Sequence, residues 1–463
     1  MHRALTRRMT APVALWLFGC GAAAWAEFGD GIDAWDRGDY SSAYREWLPM
    51  AEQGDLSAMY NIALLHDMGL GVERNHAEAA RWYEDPAADG NVSAQFRLAT
   101  IYDYGLDVPE DDARAVYWYE AAARQADDEA QFNLAVMYSR GEGVATDFER
   151  ALHWYRLSAD LGNAGAQYNL GYMYSQGQGV EADSVQALAW YRRAAEQGDA
   201  DAQFAVALML DRGQGAAADK GAALAWFEKA ALQGHQQAQF NLAVMLDSGD
   251  GIEQNDADAI DWYRAAAEQG HVGAQINLGI MYERGEGTGP DPAEALYWYR
   301  HAAERGSAQA QYAVALMFDE GVGVEEDNYA AVAWYRLAAQ QGDADAQNNL
   351  GAMFDAGEGV PRDEVEALRW YTLAAQQGNV VAQNNLGAMY VRGAGETIDA
   401  VQAYKWFYIA ERLGHPAGRE NRLDTARSMA PAEIAEATRQ AGEWLGEFSG
   451  RPQPGSPSAA ARP

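Results

Sequence analysis

Residues 151–179 read ALHWYRLSADLGNAGAQYNLGYMYSQGQG, and variants of this stretch recur every 36 residues along most of the 463-residue chain. One tryptophan column marks the period: Trp82, Trp118, Trp154, Trp190, Trp226, Trp262, Trp298, Trp334, Trp370 and Trp406. A fixed period of this length is typical of a solenoid, in which each repeat buries its apolar face against its neighbours. Because every repeat has this tryptophan, we expect the column to pack in the core rather than to stack on a ligand.

Each repeat contains two helix patterns joined by a glycine-containing turn. The first helix ends at a recurring glycine, which readily adopts the left-handed conformation that closes a helix. These glycines are Gly69, Gly105, Gly141, Gly177, Gly213, Gly249, Gly285, Gly321, Gly357 and Gly393. A second glycine follows two residues later, except at Asp107. The second helix begins after a residue that suits an N-cap, namely Asp147, Asp183, Asp219, Asn255, Asp291, Asp327 or Asp363.

The repeats also define the segments of the chain. We predict an N-terminal half-repeat over residues 27–56, an array of about ten helix–turn–helix repeats over 57–415, a helical cap over 416–448 and a disordered Pro/Ser/Ala-rich tail over 449–463. Pro49 and Pro86 fall inside second helices. Proline removes a backbone hydrogen bond there, so we expect these two helices to be kinked or shortened.

The N-terminus has the layout of a secretory signal peptide over residues 1–26, with three arginines before an apolar run. Cleavage after Ala26 would leave Glu27 as the first residue and no transmembrane segment in the mature chain. The residues before Cys20 resemble a lipoprotein box, so a lipid anchor at Cys20 is the alternative. We therefore expect export to the periplasm or the extracellular space, with an outer-membrane lipoprotein as the alternative.

The chain is strongly acidic, with 68 acidic residues, 34 basic residues and a formal net charge of −34. Only three of its residues are lysines: Lys220, Lys229 and Lys405. Such a charge balance excludes nucleic acid as the expected partner, since nucleic-acid sites need Lys/Arg-rich patches. We expect a protein or peptide partner, which could be basic, and a monomeric chain. The alternative is that the acidity only keeps the protein soluble.

No constellation of catalytic residues is present in the sequence. It has no Ser-x-x-Lys, Gly-x-Ser-x-Gly, His-Glu-x-x-His or Cys-x-x-Cys pattern, and its Gly-x-Gly turns follow helices rather than strands. His235, His271 and His415 share one position just after second helices, where a polar turn residue is expected and a weak metal site is the alternative. We therefore predict no enzymatic activity, no cofactor and no metal.

Acidic residues recur two positions before the first loop glycine, in what we call the carboxylate column: Asp67, Asp103, Asp211, Asp247, Glu283, Asp319 and Asp355. A carboxylate in the last turn of a helix opposes the helix dipole by about 0.3–1 kcal/mol. One explanation is that each carboxylate accepts hydrogen bonds from its own glycine loop or pairs with an arginine such as Arg212 or Arg284. The other is a binding ladder for a basic segment or divalent cations, formed by Asp211, Asp247, Glu283, Asp319 and Asp355.

The repeat unit, Ala-x-Ala-Gln-x-Asn-Leu-Gly-x-Met-Tyr-x-x-Gly-x-Gly followed by Ala-Leu-x-Trp-Tyr-Arg-x-Ala-Ala-Glu-Gln-Gly, resembles the Sel-one-like repeat (SLR), a relative of the tetratricopeptide repeat. The resemblance covers roughly residues 41–415 and extends to the closing Pro431-Ala-Glu-Ile-Ala-Glu-Ala segment. It implies an all-α, right-handed solenoid whose concave face assembles other proteins. Some cysteine-rich secreted relatives have been linked to β-lactam binding, but this chain lacks their paired cysteines.

These observations lead to one function and two alternatives. The first is a non-enzymatic, secreted or periplasmic scaffold that binds protein or peptide on its concave surface. The second is an envelope component that organises cell-wall or exopolysaccharide machinery and that would be the lipoprotein form, anchored through Cys20. The third is a hydrolase like the cysteine-rich relatives.

Overall fold

The computed structural model describes residues 22–394 and 398–449, with side chains from Phe28 onward. Every regular element in this part of the chain is an α-helix. The helices are α1 (Ala22–Asp36), α2 (Tyr40–Glu52), α3 (Leu56–Met68), α4 (His76–Ala88), α5 (Val92–Tyr104), α6 (Asp112–Ala123), α7 (Asp128–Arg140), α8 (Phe148–Asp160), α9 (Ala164–Gln176), α10 (Ser184–Glu196), α11 (Ala200–Arg212), α12 (Lys220–Leu232), α13 (Gln236–Ser248), α14 (Asp256–Glu268), α15 (Val272–Arg284), α16 (Pro292–Glu304), α17 (Ala308–Glu320), α18 (Asn328–Gln340), α19 (Ala344–Ala356), α20 (Glu364–Gln376), α21 (Val380–Arg392), α22 (Ala400–Arg412), α23 (Gly418–Ala426) and α24 (Pro431–Ser449).

Two predicted segments lie largely outside the described residues. They are the signal peptide, of which residues 1–21 are not described, and the tail, of which residues 450–463 are not described. Within residues 22–394 and 398–449, no helix combines the length and the apolarity that crossing a bilayer requires.

The chain divides into two units, one ending at His235 and the other beginning at Gln236. The first unit contains α1–α12, in which consecutive helices pack against one another. The second unit repeats this arrangement from α13 to α22, and α22 then packs against both α23 and α24. Consecutive helical hairpins that contact only their neighbours form an α-solenoid. The all-α solenoid predicted from the 36-residue period is therefore confirmed.

The ends of the helices follow from the predicted caps. Asp183 accepts a hydrogen bond from the backbone N–H of Gln186 at 3.0 Å, and the other six predicted N-caps make an equivalent bond. The first helices end at glycines in the left-handed conformation, as at Gly177 with φ 69°. Asp107 and Ala126, which replace glycine at turn positions, adopt the same conformation with φ 53° and 65°.

The second loop glycine is required by close contact between repeats. A Cβ atom on Gly359 would lie 2.1 Å from the carbonyl oxygen of Asn328, at the start of α18. No side chain fits at that distance, so Gly359 lets its loop rest on the second helix of the preceding repeat, as Gly179, Gly215, Gly287 and Gly323 also do. Asp107 is the exception, and its carboxylate instead accepts the backbone N–H of His76 at 3.0 Å.

The two internal prolines do not shorten their helices, so the expected shortening is not found. Helix α2 contains Pro49 and helix α4 contains Pro86, yet both keep the 13 residues that most helices of the array have. A proline inside a helix costs about 3 kcal/mol. Burial of one helix face, which includes Trp47 in α2 and Tyr83 in α4, outweighs that loss.

The core is built from alanine, tryptophan and long aliphatic columns. The alanine at the start of each first helix is fully buried, as at Ala130 and Ala274, and small residues there let the helices approach closely. Within the tryptophan column, Trp190, Trp298, Trp370 and Trp406 are buried and the other six are half-buried. The prediction that this column packs in the core is confirmed.

A buried glutamine column joins three helices at a time. Gln167 in α9 donates its Nε2 hydrogen to the carbonyl oxygen of Ala159, in the second helix of the preceding repeat, at 3.1 Å. Its Oε1 atom accepts from the Nε2 of Gln197, at the end of the second helix of the same repeat, at 2.8 Å. Where both bonds form, one amide holds a repeat to the previous repeat and also closes its own hairpin.

The second of these hydrogen bonds depends on the residue at the end of the second helix. Gln125, Gln197, Gln233, Gln269, Gln341 and Gln377 supply it. Leu161, Arg305 and Leu413 occupy the same position in three other repeats. In the described part of the chain, those are the repeats in which the buried glutamine oxygen has no partner, at Gln131, Gln275 and Gln383. An unpaired buried acceptor costs about 1–3 kcal/mol.

Replacing Leu161 by glutamine is therefore expected to stabilise the protein. The new amide would donate to the Oε1 atom of Gln131, while the leucine that it replaces is 56% exposed and contributes little packing. We expect Leu161→Gln to raise the midpoint of urea unfolding, and Gln197→Leu to lower it by the equivalent of about 1–3 kcal/mol. Leu232→Gln is the matched control, because Leu232 is 70% exposed and lies one position away from this column. A rise in midpoint for both leucine variants would contradict the assignment.

Candidate functional site

The carboxylate column lies at the ends of the first helices, where tyrosine hydroxyls of the second helices meet it. Tyr263 donates to Oδ2 of Asp247 at 3.1 Å, and Tyr335 donates to Oδ2 of Asp319 at 3.0 Å. Tyr299 donates to Oε2 of Glu283 at 2.7 Å. The same bond joins Tyr83 to Asp67 and Tyr119 to Asp103. A tyrosine of the same repeat, 16 residues later, therefore offsets the unfavourable helix dipole.

The tyrosine was not among the donors that the sequence suggested, which were the glycine loop and a neighbouring arginine. Arg284 pairs with Glu286 at 3.5 Å instead of Glu283, whereas Asp67 does pair with Arg97 at 3.5 Å. The tyrosine was missed because the second helix returns antiparallel to the first. That geometry brings a residue 16 positions away closer to the carboxylate than its sequence neighbours. The tyrosines that follow the tryptophan column were visible in the sequence, and they were the signal that could have identified these partners.

Repeats that lack the tyrosine hydroxyl also differ at the carboxylate or in the partner of the carboxylate. Phe227 has no hydroxyl, and in that repeat Lys220 pairs with Asp211 at 2.8 Å. Phe407 also lacks a hydroxyl, and Val391 replaces the carboxylate there. Where serine stands in the column, at Ser139 and Ser175, its hydroxyl donates to a carbonyl oxygen of its own helix, that of Val136 at 2.7 Å and that of Tyr172 at 2.8 Å. Asp355 pairs with Arg392 at 2.7 Å. The column thus has a structural role in each of these repeats.

Burial also shapes the electrostatics of these pairs. It raises the pKa of Tyr155 to about 12 and raises the pKa values of Tyr263, Tyr299 and Tyr335 above their ordinary value. The phenols therefore stay protonated and donate at neutral pH. Partial burial likewise raises the pKa of Asp247, and the hydrogen bond from Tyr263 opposes that shift.

The carboxylates share one helix face with apolar side chains. In α13, Phe240 and Val244 precede Asp247 by seven and three residues; in α17, Tyr312 and Leu316 precede Asp319 in the same way. Residues at these spacings lie on the same side of a helix. The four apolar residues are half-buried. Each such helix therefore presents two apolar residues and one acidic residue together, on what we call the first-helix face.

The five predicted binding residues fall in the two units, with Asp211 in the first and the other four in the second. Asp247, Glu283 and Asp319 each use one oxygen for the tyrosine bond and make no other hydrogen bond or ion pair among the described residues. Glu283 is exposed, and the two aspartates are half-buried. The column is thus structural, yet Asp247, Glu283 and Asp319 form no ion pair among the described residues, and Arg284 acts on Asp247 only at longer range.

The histidine column caps helices. His271 accepts the backbone N–H of Ala274 on its Nδ1 atom at 3.1 Å, and its ring stacks on Phe240 with centroids 4.2 Å apart. His235 stacks on Phe204 in the same way and lies 3.3 Å from Asp201. Within residues 22–394 and 398–449, no three metal-ligating side chains come together.

The pairing between Lys220 and Asp211 can be tested with a double-mutant cycle. Lys220→Met leaves Asp211 without its cation, so we expect a loss of about 1 kcal/mol in the free energy of unfolding. Phe227→Tyr supplies the hydroxyl found in the other repeats. In that background, Lys220→Met should cost clearly less. Phe407→Tyr is the control, since Val391 cannot accept a hydrogen bond. Strictly additive effects in urea unfolding would contradict the pairing.

The cap made by His271 predicts a dependence of stability on pH. Burial lowers the pKa of His271 from its ordinary value of 6.5, so the folded chain favours the neutral ring that accepts the Ala274 N–H. This contribution is fully present above pH 6.5 and is lost as the pH falls through the lower, folded-state pKa. We expect His271→Asn, which keeps a capping side chain, to reduce the drop in unfolding midpoint between pH 8 and pH 5. His153→Asn, at an exposed position, should leave the drop unchanged; an unchanged drop in His271→Asn would refute the cap's role.

Comparisons with known proteins agree with this architecture. The Sel1 repeat model matches ten stretches, at residues 56–85, 92–127, 128–163, 164–199, 200–235, 236–271, 272–307, 308–343, 344–379 and 380–415. A similar crystal structure is that of c5321, a protective antigen of uropathogenic Escherichia coli with an SLR fold. It is 33% identical, with 95% of this chain and 97% of that chain covered and a TM-score of 0.74. A Sel1 repeat protein of Oxalobacter formigenes is 34% identical, with 67% of this chain and 89% of that chain covered and a TM-score of 0.53.

A search of curated proteins gave no match. Ten consecutive matches to one repeat model cover well over half of the chain, and they coincide with the helical hairpins described above. The chain belongs to the Sel1 repeat family.

Proposed function

We propose that this chain is a secreted or periplasmic, non-enzymatic scaffold that binds a basic protein or peptide along its first-helix face. Sel1 repeat proteins are typically protein-interaction scaffolds. The observation that carries the proposal is the set of carboxylates at Asp247, Glu283 and Asp319, which accept one tyrosine hydroxyl each and form no ion pair among the described residues.

Three features of the second unit support a basic partner on this face. The carboxylates recur in successive repeats on α13, α15 and α17, so an extended segment could meet one charge per repeat. Half-buried apolar side chains adjoin them, which supplies area that a partner can cover. The net charge of −34 would also steer a basic partner toward the protein before contact.

The extracytoplasmic location rests on the signal-peptide pattern of residues 1–26. The non-enzymatic role rests on the sequence, which contains no recognisable catalytic pattern. The related protein from uropathogenic Escherichia coli is described as a protective antigen.

The proposal predicts charge-dependent capture of a partner. Chain 27–463 would be used to capture proteins from envelope extract at low and high salt, beside a variant carrying Asp247→Asn, Glu283→Gln and Asp319→Asn. These substitutions remove charge but keep an acceptor for each tyrosine hydroxyl, so the fold should persist. We expect a partner that is retained by the native chain at low salt and lost at high salt and in the variant.

The matched control neutralises three exposed carboxylates elsewhere in the same unit, by Glu253→Gln, Glu268→Gln and Glu304→Gln. It changes the net charge by the same amount, so it separates a local docking face from the overall charge. Capture that is equally weakened by both triple variants would assign the effect to net charge. Capture that is indifferent to salt and to both variants would remove the carboxylates from the binding site.

A further inference from the structure

A cleft lies at the C-terminal end of the second unit, away from the carboxylate column. Its volume is about 320 Å³, and it is lined by Gln376, Lys405, Trp406 and Trp444. These residues come from three helices, since Gln376 ends α20, Lys405 and Trp406 belong to α22 and Trp444 belongs to α24. Small-molecule sites typically occupy about 300–1,000 Å³ and combine aromatic walls with a few polar groups. The size and lining of this cleft fit that description.

The helical cap creates the cleft. In the interior of the array another repeat follows each second helix, whereas α22 is followed by α23 and α24, which both pack against it. The ring of Trp444 meets that of Trp406 edge to face at 5.8 Å, and Phe448 stacks behind Trp444 at 4.7 Å. Phe448 in turn rests on Gly378, where a Cβ atom would lie only 2.3 Å from its ring. The glycine therefore lets α24 reach back to α20 and hold Trp444 in place.

Lys405 gives the cleft a positive charge that has no counter-charge. It is one of only three lysines in a chain with 68 acidic residues, yet it forms no ion pair among the described residues. Its ammonium lies 4.9 Å from the ring centroid of Trp406, and burial lowers its pKa. A partly desolvated ammonium is normally paired, since burial without an anion is costly. An anionic ligand would supply the missing partner.

We propose that this cleft binds a small carboxylate that carries a flat apolar face, such as an acidic sugar or an aromatic acid. The Lys405 ammonium would pair with the carboxylate, and the tryptophan rings would contact the flat face. The Gln376 amide can donate to or accept from a further polar group of the ligand. A neutral sugar offers no partner to the ammonium, so it should bind much more weakly.

The test is saturation-transfer NMR on chain 27–463 with three probes, glucuronate, benzoate and glucose, and with inorganic phosphate as a competitor. We expect saturation transfer to glucuronate or benzoate and none to glucose. Transfer to glucuronate alone identifies an acidic sugar, and transfer to benzoate alone identifies an aromatic acid. Binding of phosphate that displaces both carboxylates would reduce the cleft to a nonspecific anion site and contradict the proposal. The absence of transfer to both carboxylates would also overturn it.

Two variants locate the site. Lys405→Met keeps the length of the side chain but removes the charge, and we expect affinity for the bound carboxylate to fall at least tenfold. Lys229→Met is the matched control, because the Lys229 ammonium also lies over a tryptophan of its column, 3.9 Å from the ring centroid of Trp226, but does not line the cleft. Unchanged binding in Lys405→Met, or an equal loss in both variants, would refute the site. Lys405→Arg, which restores the charge, should recover part of the affinity if the loss is electrostatic.

Discussion

A buried glutamine amide is the interaction on which the order of the helices depends. Its nitrogen donates to the preceding repeat, and its oxygen accepts from the end of its own second helix, as Gln167 shows with Ala159 and Gln197. A buried amide tolerates few alternative arrangements, because any shift leaves a donor or an acceptor unpaired. The hydrophobic columns supply most of the favourable free energy. The amide determines which helices meet and in what register.

The repeat architecture could be predicted because it depends on local rules. Glycines that end the first helices and aspartates that begin the second are readable from spacing, and the structure confirms them from Asp147 to Asp363. The full length that α2 and α4 keep despite Pro49 and Pro86 was not predictable, because it depends on burial, which the sequence does not show directly. Similarly, the sequence did not show that the Oε1 atom of Gln131 lacks a partner, because Leu161 is recognised as the missing donor position only in the structure.

The candidate site was only half predictable. The sequence identifies a recurring carboxylate at an unfavourable position in its helix. This position predicts a donor that stabilises the carboxylate, but not which residue supplies it. Its donor, a tyrosine hydroxyl such as that of Tyr263, lies across the hairpin rather than beside it. In the repeat where Phe227 replaces the tyrosine, Lys220 pairs with Asp211 instead. The carboxylate therefore requires a donor, which need not be a tyrosine. The cleft beside Lys405 was not predictable, because it needs the cap helix α24 to return toward α20.

The tyrosine bonds explain how one column can serve the fold and a partner. A neutral phenol satisfies one oxygen of Asp247 or Asp319 without cancelling its charge. An arginine or lysine in the same place, as at Asp211, would neutralise it. The second unit therefore keeps a row of ordered negative charges beside half-buried apolar side chains. A docking face for a basic segment requires carboxylates that are fixed in position and still carry their negative charge.

The most direct measurement is zero-length carbodiimide cross-linking of chain 27–463 in envelope extract, followed by mass spectrometry of the cross-linked peptides. This reagent joins carboxylates to amines that are in contact, so it reports which acidic residues touch a partner's lysines. The account predicts that cross-links concentrate at Asp247, Glu283 and Asp319 and disappear at high salt. Cross-links confined to exposed carboxylates outside the first-helix face, such as Glu268 and Glu304, would contradict it.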